Sequence, residues 1–200
     1  MKKRIEKYSS SSSVDRKKIK VHKIYLIVSI LLGMILAIGM PFFNEPDGQY
    51  HYVASSNMVN LSNDISAYGE VDIGTGIDQQ IKAYQQGGYF QKYYLTKIVE
   101  MPMSKQPREG VTKNPNAKSF IFWGHQIPAL GLWIGHEIYP SIGMMITTAR
   151  LFSVVMNSLL MFLIIKFVKK GKMIFVALSL TPVTLNSFAS LSYDSLSFVL

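Results

Sequence analysis

The stretch NEPDGQYH, residues 44–51, carries side chains whose types and spacing could do chemistry. Glu45 and Asp47 are spaced as Glu-x-Asp, and Asp47 and His51 lie one helical turn apart, so in a helix the latter two point the same way. A carboxylate at a boundary between water and lipid is suited to accept a proton from a hydroxyl. Glu45 and Asp47 are also a candidate site for a divalent cation. The competing interpretation of Asp47 is an ordinary helix cap.

Arg150 and Asp194 are the next candidates, because both interrupt or border apolar runs. Arg150 lies about eight residues into such a run, roughly 12 Å along a helix axis, where an arginine is costly unless it is paired. It is a candidate ligand for a lipid phosphate. The alternatives are a structural pair with Asp194 or Asp47, or a guanidinium that extends to the membrane interface. Asp194 lies in SLSYDSLS, where neighbouring serines also suit an ordinary helix cap.

Two further histidines, His125 and His136, lie in an aromatic segment. Their separation matches no metal-binding spacing, and the nearby Trp123 and Trp133 are typical of anchoring at a membrane interface. We therefore expect no ligand from this pair.

Composition indicates a membrane protein rather than an ordinary soluble domain. The chain has 200 residues, of which 48% are hydrophobic and 16% charged. It has no cysteine, which excludes a disulfide framework, a zinc ribbon and a thiol nucleophile. The net charge of +9 owes much to bases that precede the first apolar run, a signal of membrane topology before one of nucleic-acid binding. These bases are Lys2, Lys3, Arg4, Lys7, Arg16, Lys17, Lys18, Lys20 and Lys23.

The hydropathy pattern predicts an all-α, polytopic integral membrane protein. An uncharged run of about 20 residues spans roughly 30 Å of hydrocarbon, although a cleaved signal peptide is the competing explanation of the first run. The predicted order is a disordered basic cytoplasmic tail (1–23), transmembrane helix one (24–43), an extracytoplasmic loop (44–140), helix two (141–167), a cytoplasmic loop (168–172), helix three (173–193), and an outer turn with the start of a truncated fourth helix (194–200).

The extracytoplasmic loop is predicted to be partly helical. Residues 45–60 suit a helix opened by Pro46, and residues 120–140 suit a short interfacial helix broken by Pro128. Lysines after helix two place its end in the cytoplasm, so the topology puts residues 44–51 and Asp194 on the same outer face. The expected location is the bacterial cytoplasmic membrane, with a cytoplasmic N-terminus and several passes.

The order of these parts resembles the N-terminal part of a family of bacterial polytopic membrane proteins, domain of unknown function 2142, over residues 24–200. The residues that carry the resemblance are P-D-x-x-x-H (Pro46, Asp47, His51), P-x-L-G (128–131), ARLFS (149–153), LTPVTL (180–185) and ASLSYDSLS (189–197). The family is similar to the GT-C superfamily of glycosyltransferases, which use sugars carried on polyprenyl phosphate and keep an acidic motif in the first outer loop.

The resemblance implies a role for each candidate residue. Asp47 would be the base or orienting carboxylate for an acceptor hydroxyl, with Glu45 and His51 supporting it. Arg150 would face the phosphate that leaves, and Asp194 would line the same outer cavity. The implied partners are the lipid bilayer, a polyprenyl-phosphate-linked sugar and a glycan acceptor of the cell envelope, and no nucleic acid.

Two departures from the family pattern keep other functions open. The family usually has P-D-E, whereas Gly48 follows Asp47 here, and its members have many more spans, so the chain resembles a fragment or a truncated product. A transporter or flippase component for lipid-linked glycans would use Arg150 and Asp194 as a translocation pair. An accessory membrane subunit without catalytic activity is the third hypothesis.

Overall fold

The computed structural model describes residues 20–43, 45–61, 88–98 and 118–200, and within these ranges the chain is helical and contains no strand. The predicted tail up to residue 19 and the parts of the predicted extracytoplasmic loop at residues 62–87 and 99–117 lie outside the described residues. The helices are α1 (Val21–Gly39), α2 (Gly48–Met58), α3 (Phe120–Ile138), α4 (Ile142–Phe167), α5 (Lys172–Ser179), α6 (Pro182–Phe188) and α7 (Asp194–Ser197), with a π-helix at Gln91–Leu95 before α3.

Helices α1 and α4 are long and apolar enough to cross a membrane, with 19 and 26 residues. They are antiparallel neighbours, because Gly33 lies against Val154 while the earlier Ser29 bonds the later Ser158, with 2.7 Å between the hydroxyl oxygens. Helix α1 ends at Gly39 because Met40, which precedes a proline, is extended. The Ser141 hydroxyl caps α4 by accepting from the Met144 amide.

The structure does not confirm three continuous spans. The segment predicted as the third span, 173–193, contains two short helices, α5 and α6, which are separated at Leu180 and Thr181. Pro182 has no amide hydrogen to continue α5, so it begins a new helix instead, and the Thr181 hydroxyl caps that helix by accepting from Thr184.

Helix α3 corrects the prediction of a break at Pro128, because it runs through that proline as one helix of 19 residues. It joins α4 through a three-residue connection, residues 139–141, and packs closely on it. A Cβ at Gly131 would lie 2.6 Å from the Ala149 Cα, and a Cβ at Gly135 would lie 2.8 Å from the Met145 Cα. The two backbones approach this closely only because glycines form the contact.

A core cluster at the Met40 end of α1 holds the elements that carry the acidic motif. Phe42, Tyr52, Tyr93, Leu132 and Met145 are buried there, so they join the chain after α1 to α2, the π-helix, α3 and α4. Burial of several such side chains stabilises this region by about 1.5–3 kcal/mol for each. The loop with Glu45 and Asp47 is therefore anchored on both sides.

Candidate functional site

Glu45 and Arg150 form a buried ion pair at the base of the site. The Arg150 Nη2 donates to the Glu45 Oε2 at 2.8 Å, and the two side chains are 4% and 0% exposed for Glu45 and Arg150 respectively. The guanidinium also donates to the carbonyls of Met40 at 2.9 Å and Pro41 at 3.1 Å, just beyond the end of α1. The second Glu45 oxygen accepts from the Leu191 amide at 3.5 Å. The pair thus joins α1, α4 and the segment before α7.

This pair corrects two expectations for Arg150. Its partner is Glu45, not Asp194 or Asp47, and a fully enclosed guanidinium does not extend to a membrane interface. Its Nη atoms donate to three protein acceptors, while its buried Nε has no partner among the described residues, so phosphate binding by Arg150 stays a prediction. Glu45 is correspondingly a residue that holds the loop in place.

Asp47 is the opposite case, an exposed carboxylate with no side-chain partner among the described residues. It occupies the N-cap position of α2, where its backbone is left-handed with φ 54° and ψ 25°, but its side chain makes no capping bond. An ordinary helix cap is therefore wrong for this residue. A non-glycine residue in this backbone region is uncommon and is found more often at functional sites.

Gly48 shows why the second acid of the motif cannot follow Asp47 here. A Cβ at this position would lie 2.9 Å from the Phe43 Cα and 3.1 Å from the Glu45 Cγ. The helix also starts at Gly48 rather than at Pro46. The close packing of the turn explains the departure from P-D-E. The second acid here is Glu45, which comes two residues before Asp47 instead of directly after it.

Asp194 lines a cleft of about 410 Å³ between the Glu45 loop and the helices α6 and α7. It is the first residue of α7, and its exposed carboxylate has no side-chain partner among the described residues. The remaining lining residues are Glu45, Pro46, Val183, Asn186, Ser187, Ser190, Ser192, Ser197 and Phe198. The cleft thus combines hydroxyl groups, an amide, a free acid and apolar side chains.

His51 and His125 form a buried hydrogen bond that the sequence analysis did not anticipate. The His51 Nδ1 lies 2.9 Å from the His125 Nε2, and the His125 Nδ1 lies 2.6 Å from the Ile121 carbonyl oxygen. The Tyr193 ring lies 5.4 Å from each imidazole ring, measured between centroids. A Cβ at Gly124 would collide with the Tyr193 Cβ, so the absence of a side chain at Gly124 makes room for Tyr193.

Burial keeps both imidazoles neutral. Desolvation lowers the pKa of His51, against the opposing fields of Glu45, Asp194 and Asp47. Desolvation also lowers the pKa of His125 to about 4, although the hydrogen bond to Ile121 and the Asp194 charge act in the opposite direction. His51 therefore lies within the electrostatic reach of all three acids, and Glu45 joins this group to Arg150.

The residues present do not fit a divalent cation at Glu45 and Asp47. The Glu45 oxygens bond Arg150 and the Leu191 amide, which leaves Asp47 as the remaining acid of the motif. In the described part of the chain no group of three or more potential ligands is placed to hold a metal ion.

Sequence reasoning missed His125 because its partner lies on a different helix, 74 residues away. Helical spacing detects only contacts within one helix. The spacing of His125 and His136 therefore carries no information about a contact between His125 and His51. Its position one turn before Pro128 on a glycine-containing face is visible in the sequence, but the contact depends on how α2 packs on α3.

Comparison with known proteins concerns the second part of the chain. Residues 123–200 match the family described as "Predicted membrane protein (DUF2142)". Searches of curated proteins and of solved structures found no match. The match covers Arg150 and Asp194 but not residues 44–51. Together with the apolar helices α1 and α4, it indicates a membrane location.

Proposed function

We propose that this protein is a membrane glycosyltransferase of the GT-C type, which transfers a sugar from a polyprenyl-phosphate donor to a cell-envelope glycan on the outer face of the membrane. The observation that carries the proposal is the cleft lined by Glu45, the Asp194 carboxylate and several serine hydroxyl groups. Asp47, two residues after Glu45, is an exposed carboxylate without a side-chain partner among the described residues. The resemblance to the GT-C superfamily supplies the reaction class.

The lining of the cleft suits a carbohydrate. Serine hydroxyls and the Asn186 amide can both donate and accept hydrogen bonds, as sugar hydroxyls require, while Phe198 and Val183 offer apolar contacts to the C–H faces of a sugar ring. The volume of about 410 Å³ lies within the range of small-molecule sites. Asp194 in this wall is suited to accept hydrogen bonds from the hydroxyls of the sugar.

In the proposed reaction the acceptor hydroxyl oxygen bonds to the anomeric carbon of the donor sugar. The bond from that carbon to the phosphate oxygen breaks, and polyprenyl phosphate leaves with the electron pair. The hydroxyl proton passes to the Asp47 carboxylate, which is exposed and has no side-chain partner in the described part of the chain that would compete for it. The Glu45–Arg150 pair holds the turn that presents Asp47.

The transporter hypothesis depends on an ion pair between Arg150 and Asp194, and the guanidinium is instead bonded to Glu45. The unpaired acids therefore favour a transferase over a translocation pair. The accessory-subunit hypothesis assigns no chemistry to Asp47. The substitution Asp47→Asn therefore distinguishes an accessory subunit from a transferase.

The test uses the protein in liposomes with radiolabelled polyprenyl-phosphate hexoses as the donor probe and a cell-envelope oligosaccharide as the acceptor. Asp47→Asn should reduce release of polyprenyl phosphate about 100-fold or more and leave donor binding unchanged. Glu137→Gln, at an exposed acid near the end of α3, is the matched control and should have no effect.

Other outcomes identify the other functions. Movement of the donor across the bilayer without release of polyprenyl phosphate, unaffected by Asp47→Asn, would indicate a transporter. Neither release nor movement with any donor of the panel would contradict both proposals and favour an accessory subunit.

A further inference from the structure

The hydrogen bonds of His51 and His125 determine where their protons lie. The Ile121 carbonyl can only accept, so the His125 Nδ1, 2.6 Å away, carries a proton. Because His125 is neutral, its Nε2 then has a lone pair and accepts. The His51 Nδ1, 2.9 Å from that nitrogen, must therefore donate. The chain of bonds runs from His51 through His125 to the Ile121 carbonyl.

This arrangement leaves the His51 Nε2 as an unprotonated nitrogen with no hydrogen-bond partner among the residues that the structure describes. His51 is 5% exposed, and its Nε2 is not among the fully enclosed, unbonded polar atoms of the described residues. His125, by contrast, is fully buried. The accessible end of the pair is thus a base.

The pair can take up one proton without breaking a hydrogen bond. A proton on the His51 Nε2 leaves its Nδ1 donating to His125 as before. A second proton, on the His125 Nε2, would set two N–H groups against each other. The groups that face His51 are Tyr50 of α2, His125 of α3, Tyr193 and Asp194 at α7, and Glu45 and Asp47 beside α2. All three carboxylates favour an imidazolium there.

We propose that His51 is the final proton acceptor of the transfer reaction and that His125 is its positioning residue, an inference that rests on the proposed function. The proton leaves the Asp47 carboxylate and binds the lone pair of the His51 Nε2, which restores Asp47 as an anion and makes His51 an imidazolium. The two residues are one turn apart, since the His51 amide donates to the Asp47 carbonyl at 3.0 Å. The proton then returns to water when product leaves.

The first test measures the tautomers directly. The chain has four histidines, so a ¹⁵N spectrum of histidine-labelled protein is tractable, with assignment by single substitutions. At neutral pH His51 and His125 should both be neutral with the proton on Nδ1. A His51 proton on Nε2, or a charged His125, would overturn the inference even if sugar transfer is normal.

The second test uses matched variants of the positioning residue. His125→Gln places an amide oxygen near the lost Nε2 and should keep transfer within about twofold of wild type, whereas His125→Leu removes the acceptor and should lower the rate about tenfold or more. Wild-type activity should fall on acidification as His51 takes a proton, at a pH below the ordinary imidazole pKa of about 6.5, because burial lowers the pKa of His51. His51→Gln should be slower and should lose this acid limb.

The outcomes separate this inference from the proposed function. An unchanged acid limb in His51→Gln, or equal rates for His125→Gln and His125→Leu, contradicts the proton-acceptor role alone. No sugar transfer by the wild type contradicts the proposed function and this role together. Thermal unfolding of both His125 variants shows whether a loss of rate reflects a loss of fold.

Discussion

Glu45 and Asp47, two acids separated by one proline, have opposite environments. Glu45 is buried and neutralised by Arg150, while Asp47 is exposed, unpaired and held in a left-handed backbone conformation. A buried charge must be paired, whereas a carboxylate that takes part in chemistry must be free to change its protonation state. The difference gives Glu45 a structural role and leaves Asp47 available for the proposed reaction.

The largest expected effect comes from breaking the buried pair. Arg150→Met leaves Glu45 enclosed without a counter-charge and should lower the free energy of unfolding by about 3–5 kcal/mol. Denaturant titration of the purified protein in detergent measures this change.

The double variant Glu45→Gln/Arg150→Met is the control, because it buries neither charge. Its loss should be smaller than that of Arg150→Met alone. If the free energy of unfolding of Arg150→Met is within about 1 kcal/mol of that of wild type, then the pair contributes little to stability. Glu45 would then have no structural role that distinguishes it from Asp47.

Acid should weaken the fold at the two buried imidazoles. The pKa of His125 is about 4 in the folded protein, against about 6.5 when unfolded, so between these values the unfolded chain binds more protons. Stability is therefore complete above about pH 6.5 and falls as the pH drops towards 4, by about 2–3 kcal/mol for this group.

Unfolding measured across this pH window checks the prediction. His125→Gln has no group that titrates there, so its stability should depend less on pH than that of wild type by a similar amount. An equal dependence in both proteins would place the acid sensitivity elsewhere, for example in the carboxylates.

The sequence predicted the parts of this molecule that depend on local pattern. The all-α class, the apolar helices α1 and α4 and the candidate acids follow from hydropathy and residue type. The continuity of α3 was predicted wrongly, because proline in isolation disfavours a helix interior, while here glycines pack the helix tightly on α4.

Partners that are distant in the sequence could not be predicted. Arg150 had three acids within reach of a plausible topology, and only packing selects Glu45, 105 residues away. The His51–His125 bond has the same origin, since it depends on the docking of α2 on α3. Spacing rules identify such residues as candidates but do not identify their partners.

Asp47→Gly tests whether the strain at the free acid is connected with function. Glycine adopts φ 54° without a Cβ clash. The relief of this backbone strain is larger than the stabilisation of the unfolded chain by the extra conformational entropy of glycine, so the free energy of unfolding should rise by about 0.5–1 kcal/mol. Sugar transfer should be lost as in Asp47→Asn. Asn60→Gly, at another residue with φ 54°, is the matched control and should stabilise the protein with transfer intact. A loss of stability in Asp47→Gly would mean that its side chain holds the turn.

The smallest expected effect concerns a neutral polar contact between the two candidate spans. Ser29 bonds Ser158 at 2.7 Å in the contact between α1 and α4, so Ser29→Ala should lower stability by only about 0.6 kcal/mol, the average for polar contacts between membrane helices. Ser55 is equally buried, but its hydroxyl has no partner in the described chain, so Ser55→Ala should be neutral or stabilising. Unfolding titrations of the two variants in parallel compare the loss of a hydrogen-bonded hydroxyl with the loss of one that has no partner. An equal loss of stability in both variants would mean that the volume of the serine side chain matters more than its hydrogen bond. The pairing of polar groups would then govern stability here only where a full charge is buried, as at Glu45.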